Sequence, residues 1–360
     1  MSKRKLTPSL INTINEDPKS VISKLDLVYV NNRQLSITRE SSGKTFTYYR
    51  NGKIVSDNNH LDRINSLVIP PAWTHVRIAE MHNGHLQATG RDAKSRKQYR
   101  YHTKWNKIKN QTKFFRMAAF GEALPIIRDK VERDIIQTEW TKTKVLALVI
   151  KLMEETHIRI GNTYYAKKNK TYGLTTLRTK HVHLFKDKLR FQFVGKRGKE
   201  HNITLRNKKL IKLVGKCEEI PGWELFQFYD REGHKHHVDS SMVNAYINDV
   251  TGDSFTAKDF RTWSASVIFF ETLMDFDKPT TEAEKHKNIL SAFDATANAL
   301  GNTRNVCRKY YVHPILVKSY EDDSLHNVFL DVTNTPQISE HLTPSETSVL
   351  NLIKNYKPVI

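Results

Sequence analysis

The stretch from Leu300 to Pro314 carries residue types that could make and break a phosphodiester bond. Several basic residues in it precede two adjacent tyrosines, Tyr310 and Tyr311. A tyrosine hydroxyl can act as a covalent nucleophile when its surroundings favour the phenolate. Aromatic residues more often pack than react, so this stretch alone is more typical of a surface helix with two half-buried tyrosines.

Cleavage of a DNA phosphodiester without a metal requires three kinds of group. It needs a nucleophile, cations that stabilise the charge on a pentacoordinate phosphorus, and an acid for the leaving oxygen. Arginine suits the second task because its planar guanidinium holds two phosphate oxygens and stays charged. Lysine suits the third because neighbouring cations can lower its pKa until it gives up a proton. A basic chain has many such residues, so these types alone do not identify a site.

The composition favours a polyanionic partner. The chain has 360 residues, 27% of them charged, and a formal net charge of +20. Such an excess suits duplex DNA, because each neutralised phosphate releases counterions. No apolar run approaches the roughly 20 residues of a membrane span, and no signal-peptide core follows the basic N-terminus. There are only two cysteines, and they lack CxxC spacing. This predicts a protein of the reducing cytosol without a disulfide framework.

The sequence disfavours three other kinds of site. Gly43-Lys44-Thr45 looks like the end of a phosphate-binding loop, but Thr38 stands where the first glycine is required. His234, His236 and His237 lie in a polar turn without paired cysteines, which indicates a solvated turn rather than a zinc site. No cluster of carboxylates suits two magnesium ions. We therefore expect neither a metal nor a cofactor.

The first part of the chain predicts a small antiparallel sheet. Strand-like runs extend from about Leu25 to Ala88, and Asn51-Gly52 marks a hairpin. The residues before position 25 could form a short helix or a loose arm. A basic, aromatic segment follows the sheet. If it is a strand, Tyr99 and Tyr101 share one face, and its side chains suit phosphates and base edges; the candidates are Arg96, Lys97, Gln98, Tyr99 and Tyr101.

From about Asn110 the pattern turns helical. Pro125 should interrupt or restart the first helix. Apolar spacing predicts a helix with a buried face from Thr141 to Thr156, and Gly161 is expected to end it, leaving Arg159 near the helix end.

A β-hairpin and further helices complete the pattern. Alternating apolar residues on both sides of Val194–Lys199 predict a hairpin with Lys196 at its tip. Residues 240–300 and the run after Pro314 are helical in pattern. Thr343, Pro344 and Glu346 form a capping-box sequence that opens a short helix.

Several segments together resemble the type IB DNA topoisomerases of bacteria and, more distantly, of poxviruses. They occur in the family's order and cover roughly residues 25–330: Ile69–Trp73, Gly84–Gln87, Gly90–His102, Arg159–Asn162, Tyr172–Leu177, Val194–Lys196, Lys258–Trp263 and Leu300–Pro314.

The resemblance implies a role for each catalytic residue. The family's nucleophile falls on Tyr311 rather than Tyr310, and neighbouring helical residues point about 100° apart, so the two cannot share the role. Arg159 and Arg261 match the two catalytic arginines. Lys196 matches the general acid that protonates the 5′ oxygen.

Two further positions complete the implied site. Lys258 matches a supporting lysine on the proton path. Asn302 occupies the position where poxviral members carry histidine, so in this respect the chain resembles the bacterial type. Asparagine can donate a hydrogen bond to a phosphate oxygen but cannot carry charge, so Asn302 should assist without titrating.

The resemblance also implies the fold and the activity. We expect an α+β, two-domain DNA clamp: an N-terminal arm (1–24), a β-rich DNA-binding domain (25–109), a helical catalytic domain with a β-hairpin (110–334) and a C-terminal tail with a short helix (335–360). The implied enzyme is a monomer that relaxes positive and negative supercoils through a 3′-phosphotyrosyl intermediate, without ATP or metal. In that family Gln98, Tyr99 and Tyr101 would meet the major groove.

Two other functions are consistent with the same residues. Tyrosine recombinases share the chemistry but typically show His-x-x-Arg, where this chain has Lys258-x-x-Arg261. A recombinase would form tetramers on a specific site. A non-catalytic duplex DNA-binding protein would form no covalent adduct. The expected location is the cytoplasm, at the nucleoid, or a virion or virus factory if the source is a large virus.

Overall fold

The computed structural model describes residues 13, 14, 17–43, 45–332 and 339–356. They form two compact units, one of the described residues up to Phe115 and one of Arg116–Tyr356. The first holds an antiparallel sheet and the second is mainly helical, so the α+β prediction is confirmed. Residues 1–12, 15 and 16 of the predicted arm, and 335–338 and 357–360 of the predicted tail, lie outside the described residues. The four-part division of the chain stays a prediction.

A six-stranded antiparallel sheet organises the N-terminal unit, in the order β3-β2-β1-β4-β5-β6. Asn51 and Gly52 connect β2 to β3 with φ values of 49° and 78°, so the predicted Asn-Gly hairpin is confirmed. The elements are α1 (Pro18–Ile22), β1 (Ile37–Ser42), β2 (Thr45–Arg50), β3 (Lys53–Ile54), α2 (Asn58–Ser66), β4 (Thr74–Ile78), β5 (Leu86–Arg91) and β6 (Lys97–Tyr101).

The segment before the sheet is anchored rather than loose. Ile22, in α1, is 1% exposed and packs in a small core with Leu25, Leu27, Trp105 and Ile108. The apolar run after it forms a single β-bridge at Val28 rather than a strand. Burial of these apolar side chains explains why a helix forms here instead of an arm.

The expected break at Pro125 is wrong. One helix, α3, runs through it from Thr103 to Ile135 and contributes residues to both units. Phe120, Leu124 and Ile127, on either side of the proline, are at most 1% exposed. Each buried apolar side chain contributes about 1.5–3 kcal/mol, which together exceeds the roughly 3 kcal/mol that a proline costs inside a helix.

The second unit combines ten helices among its described residues, after α3, with two small antiparallel sheets. The helices are α4 (Lys142–Thr156), α5 (Thr163–Asn169), α6 (Lys208–Glu218), α7 (Ser240–Thr251), α8 (Ala257–Met274), α9 (Glu282–Leu300), α10 (Arg304–Tyr310), α11 (Pro314–Glu321), α12 (Ser324–Asp331) and α13 (Pro344–Lys354). The strands are β7 (Val182–Leu184), β8 (Leu189–Val194), β9 (Glu200–Leu205), β10 (Gln227–Tyr229) and β11 (Lys235–His237).

Helices α4 and α8 supply many of the buried residues of this unit. Thr141 caps α4, and the predicted buried-face helix is confirmed at Lys142–Thr156. The capping box at Thr343 and Glu346 is confirmed at the start of α13, whose Val349, Leu350 and Ile353 are buried in the same core. None of the described helices is long and apolar enough to cross a membrane.

Candidate active site

Tyr311 follows the last residue of α10 and turns toward an arginine. Its backbone N–H donates to the carbonyl of Cys307 at 3.0 Å. Its hydroxyl accepts a hydrogen bond from Arg261, whose guanidinium carbon lies 5.8 Å from the centroid of the Tyr311 ring. The neighbouring Tyr310 is 42% exposed, with the Lys309 ammonium 5.4 Å from its ring centroid. The two tyrosines therefore occupy different surroundings.

Arg261 is the most deeply buried cation around Tyr311. It lies on α8, is 5% exposed, and donates to the carbonyls of His157 and Leu300, the latter at 2.7 Å. These carbonyls stand at the C-terminal ends of α4 and α9, where the helix dipoles favour a positive charge. Burial, followed by the charge of Arg159, lowers the pKa of Arg261, while Tyr311 opposes the shift.

Arg159 lies beyond the end of α4, in a segment held by two glycines. The helix ends at His157, which adopts a left-handed conformation with a φ of 53°. The expectation that Gly161 ends this helix is therefore wrong. Gly161, with a φ of 97°, instead packs against the backbone of Gly173, and a Cβ there would lie 3.1 Å from the Gly173 carbonyl oxygen. The Arg159 carbonyl accepts from Leu174 N at 2.8 Å, which fixes the arginine in place.

Asn302 pairs with Arg159. Gly301 ends α9 in a left-handed conformation with a φ of 61°, and the N–H of Asn302 then donates to the Ala297 carbonyl at 2.9 Å. The Asn302 Oδ1 accepts a hydrogen bond from Arg159. Its Nδ2 is buried without a hydrogen-bond partner of normal geometry among the described residues, although the Cys307 thiol, a weak acceptor, lies beside the amide. This amide could donate to a phosphate oxygen.

Lys196 stands in the turn between β8 and β9, as predicted. Gly195 N donates to the Lys199 carbonyl at 2.7 Å and closes the turn. Loss of hydration lowers the pKa of Lys196, and the charges of Arg159, Arg197 and Lys258 lower it further, while Tyr311 raises it. A lysine with a lowered pKa gives up its proton more readily.

Lys258 lies in the first turn of α8, one turn before Arg261. Its side chain is exposed, and its charge reaches Lys196. The capping box between Thr256 and Asp259 fixes this helix start, with Thr256 N donating to Asp259 Oδ2 at 2.8 Å. Residues three apart share a helix face, so Lys258 and Arg261 point to the same side.

These side chains form one group, the Tyr311 cluster, consisting of Arg159, Lys196, Lys258, Arg261, Asn302 and Tyr311. Four of its members are cationic, one is an amide donor and one is a hydroxyl. Charges between its members appear in the pKa shifts of Arg159, Lys196 and Arg261. Such a set can bind a phosphodiester and stabilise added negative charge on it.

The basic strand predicted in the N-terminal unit is β6. Tyr99 and Tyr101 share its outer face, as expected, with ring centroids 5.9 Å apart and planes at 12°. They are 45% and 38% exposed. The Lys97 ammonium lies 5.4 Å from the Tyr99 ring centroid. This face offers aromatic surface and positive charge.

Gln98 and Arg96 are engaged by Asp92 instead. Gln98 points to the opposite face of β6 from Tyr99 and donates to Asp92 Oδ2 at 3.0 Å. The Arg96 Nε donates to the same oxygen at 2.7 Å. This hydrogen bond, together with the Arg96 charge and the backbone N–H groups of Lys94 and Arg96, lowers the pKa of Asp92 to about 2. The structure therefore does not bring Gln98 together with the two tyrosines.

The histidine-rich turn between β10 and β11 lies on the surface. His234, His236 and His237 are exposed, and His236 Nε2 is 2.6 Å from Asp230 Oδ2. Among the described residues, the potential ligand atoms of Asp230, Glu232 and His234 lie within 4.8 Å of one another. No residue of the Tyr311 cluster belongs to this turn.

Two residues beside the cluster, Cys307 and His201, are not among those predicted from the sequence. Cys307 is fully buried one turn before Tyr311, and burial raises its pKa. His201 lies on β9 against the turn that carries Lys196. The alternating pattern of β9 indicates that His201 points inward, because it shares a strand face with Ile203 and Leu205.

Comparison with known proteins identifies the family. A family model described as "Eukaryotic DNA topoisomerase I, catalytic core" matches residues 102–327. A second, described as "Bacterial DNA topoisomerase IB, N-terminal domain", matches residues 45–92. The first match covers more than half of the chain and contains every member of the Tyr311 cluster.

Viral proteins are similar over nearly the whole chain. The chain is 33% identical to the DNA topoisomerase 1B of Acanthamoeba polyphaga mimivirus, over 89% of this chain and 95% of the relative. It is 26% identical to the DNA topoisomerase 1 of rabbit fibroma virus, over 84% and 99%. It is 24% identical to the DNA topoisomerase 1B of vaccinia virus (strain Western Reserve), over 82% and 95%. The chain therefore belongs to the type IB DNA topoisomerases, a family of isomerases that act on DNA.

Proposed function

We propose that this enzyme relaxes positive and negative supercoils by transiently cleaving one strand of duplex DNA. The observation that carries the proposal is the contact of the Tyr311 hydroxyl with Arg261, beside Arg159, Lys196 and Asn302. A nucleophile, charge-stabilising donors and an acid of lowered pKa then lie in one cluster.

Cleavage begins with attack by Tyr311. Its hydroxyl gives its proton to solvent water, and its oxygen forms a bond to a backbone phosphorus while the bond from phosphorus to the 5′ oxygen breaks. Arg159 and Arg261 bind the non-bridging oxygens, where negative charge grows in the transition state. The Asn302 Nδ2, which is buried, donates to one of these oxygens.

Lys196 protonates the departing 5′ oxygen. Its lowered pKa makes it a better proton donor, and Lys258 adds positive charge beside it. The products are a 3′-phosphotyrosyl link and a free 5′-hydroxyl. The duplex swivels about the intact strand, and the 5′-hydroxyl then attacks the phosphotyrosine and reseals the strand. The phosphotyrosine keeps the bond energy, so the reaction requires no ATP, and the cluster's cations take the place of a metal.

We further propose that the enzyme acts as a monomer on duplex DNA, with Tyr99, Tyr101 and Lys97 contacting the duplex from the outer face of β6. Arg96 and Gln98 would join them only after leaving Asp92. The proposed location is wherever the duplex lies, the nucleoid in a bacterial cell or, as the viral relatives favour, a virion or virus factory.

The experiment is a covalent-adduct assay in EDTA without ATP. A duplex carries a 5′ label on the strand to be cleaved, and the wild-type enzyme should transfer that label to protein. Treatment with protease should leave a peptide linked through tyrosine at the 3′ phosphate. Absence of an adduct on this duplex, while binding persists, would contradict the proposal and favour a non-catalytic DNA-binding protein.

A further inference from the structure

The imidazole of His201 fills the space between two parts of the Tyr311 cluster. A Cβ added at Gly195, next to Lys196, would lie 2.6 Å from His201 Cδ2 and Nε2. A Cβ added at Gly301, next to Asn302, would lie 2.8 Å from His201 Cε1. One edge of the ring thus meets the hairpin turn, and another meets the end of α9.

The two glycines serve this contact differently. Gly301 has a φ of 61°, a conformation that favours glycine whatever surrounds it. Gly195 has a φ of −99°, which any residue can adopt. The absence of a side chain at Gly195 is therefore explained by space, and the occupant of that space is the His201 ring. The ring also stacks on Phe193, with centroids 4.9 Å apart and planes at 12°.

The two sides of the ring are anchored unequally. On one side, Gly301 N donates to Ala297 and Asn298 carbonyls, and the Leu300 carbonyl accepts from the buried Arg261. On the other side, the turn is closed by bonds within itself, from Gly195 N to the Lys199 carbonyl and from Gly198 N to the Gly195 carbonyl. Removal of the ring should therefore displace the turn rather than the end of α9.

The electrostatic surroundings keep the ring uncharged. Burial of the ring is the largest cause, and the charges of Arg159, Lys199 and Arg261 add to it. Together they lower the pKa of His201 to about 4. At neutral pH the ring fills space without adding another positive charge to the cluster. In this neutral form the imidazole is also too weak an acid to replace Lys196 as the proton donor.

We propose that His201 is a positioning residue, whose ring sets the separation between the Lys196 turn and Asn302 so that Lys196 reaches the departing oxygen. This inference rests on the proposed function, because it presupposes that Lys196 protonates a 5′ leaving group. It assigns His201 to the acid step and not to the attack by Tyr311.

The test compares single-turnover cleavage of two matched duplexes by a His201→Ala variant. One has the normal 5′ oxygen at the cleaved bond, and the other has a 5′ sulfur, which leaves without an acid. A displacement of about 1 Å can slow a reaction about 100-fold, so we expect cleavage of the oxygen substrate to be about 10- to 100-fold slower than with wild type. On the sulfur substrate the variant should cleave within about threefold of wild type. Lys196→Ala should show the same pattern.

His183→Ala is the matched control, because His183 is exposed on the same three-stranded sheet. It should cleave both duplexes at the wild-type rate. Equal slowing of both substrates by His201→Ala would overturn the proposal, and so would normal cleavage of the oxygen substrate. Failure of the wild-type enzyme on both duplexes would instead reject the proposed function.

A double-mutant cycle tests the contact even if one variant is unstable. Gly195→Ala places a methyl group against the His201 ring and should slow cleavage of the oxygen substrate. Adding His201→Ala removes the clash, so the double variant should cleave faster than Gly195→Ala alone. Effects that add, or a double variant that is slower still, would overturn the proposal.

Discussion

Removal of the Glu346 charge should destabilise the helical unit by several kcal/mol. The Glu346 carboxylate, 5% exposed, accepts two hydrogen bonds from Arg128, at 2.7 and 2.8 Å, and one from Trp263 Nε1 at 3.0 Å. Arg128 also donates to Glu154, in the last turn of α4. This network joins α3, α4, α8 and α13. Although burial opposes ionisation, Arg128 holds the pKa of Glu346 below its usual value.

The predicted perturbation is Glu346→Gln. Loss of one partner from a buried ion pair costs about 3–5 kcal/mol. Because Arg128 keeps Glu154 at 2.8 Å, we expect the lower end, about 3 kcal/mol. For a unit of roughly 150–250 residues each kcal/mol shifts Tm by about 2–4 °C, so Tm should fall by about 6–12 °C. Thermal unfolding followed by calorimetry or circular dichroism measures this.

Glu122→Gln is the matched control, because Glu122 pairs with Lys354 of the same helix α13 at the surface. The two atoms are 2.9 Å apart, but the side chains are 55% and 39% exposed. Such a pair is worth about 0–1 kcal/mol, so Tm should change by at most about 4 °C. Equal effects of the two substitutions, or a loss below about 1 kcal/mol for Glu346→Gln, would refute the reasoning from burial.

Three further predictions concern chemistry, pH and salt. Lys196→Ala should slow cleavage about 10²- to 10⁴-fold, and a 5′-sulfur leaving group should restore it in single-turnover assays; no rescue would argue against the general-acid role. His181 Nδ1 accepts from Arg178 N at 3.0 Å, and burial first, then neighbouring charges, lower its pKa from 6.5 to about 4. Between these two pH values the unfolded chain binds a proton at His181 and the folded chain does not, so the free energy of unfolding should fall as pH drops from about 6.5 toward 4. Denaturant titrations should show a weaker pH dependence in His181→Asn. An unchanged pH dependence in that variant would contradict this prediction. Relaxation should change from distributive to processive as salt falls, because the net charge of +20 holds the enzyme on DNA; time courses of plasmid relaxation at several salt concentrations would expose a salt-insensitive enzyme.

Local patterns predicted the elements that position the site. The apolar spacing of α4 and the alternation of β8 and β9 follow directly from helix and strand geometry. The period of two also placed Tyr99 and Tyr101 on one face, and the same period sends Gln98 to the other. The alternating pattern could not predict the hydrogen bond from Gln98 to Asp92, because that bond depends on a turn that brings Asp92 back beside the strand.

Contacts between distant segments could not be predicted. Gly161 suggested a helix end, but His157 ends α4 and Gly161 instead meets the backbone of Gly173. Pro125 suggested a break, but burial of the surrounding apolar residues keeps α3 continuous. The His201 ring packs against Gly195 and Gly301, and Gly301 lies 100 residues after it in the chain. Each of these outcomes is decided by tertiary packing, which local propensity does not contain.

The most direct test of the central claim is plasmid relaxation in EDTA without ATP by wild type, Tyr311→Phe and Tyr310→Phe. The Tyr311 hydroxyl contacts Arg261, whereas Tyr310 is 42% exposed. We therefore predict that wild type and Tyr310→Phe relax positive and negative supercoils, while Tyr311→Phe binds the plasmid but leaves it supercoiled. Relaxation by Tyr311→Phe, with loss of activity in Tyr310→Phe, would contradict the assignment of the nucleophile. No relaxation by the wild-type enzyme would contradict the proposed function itself.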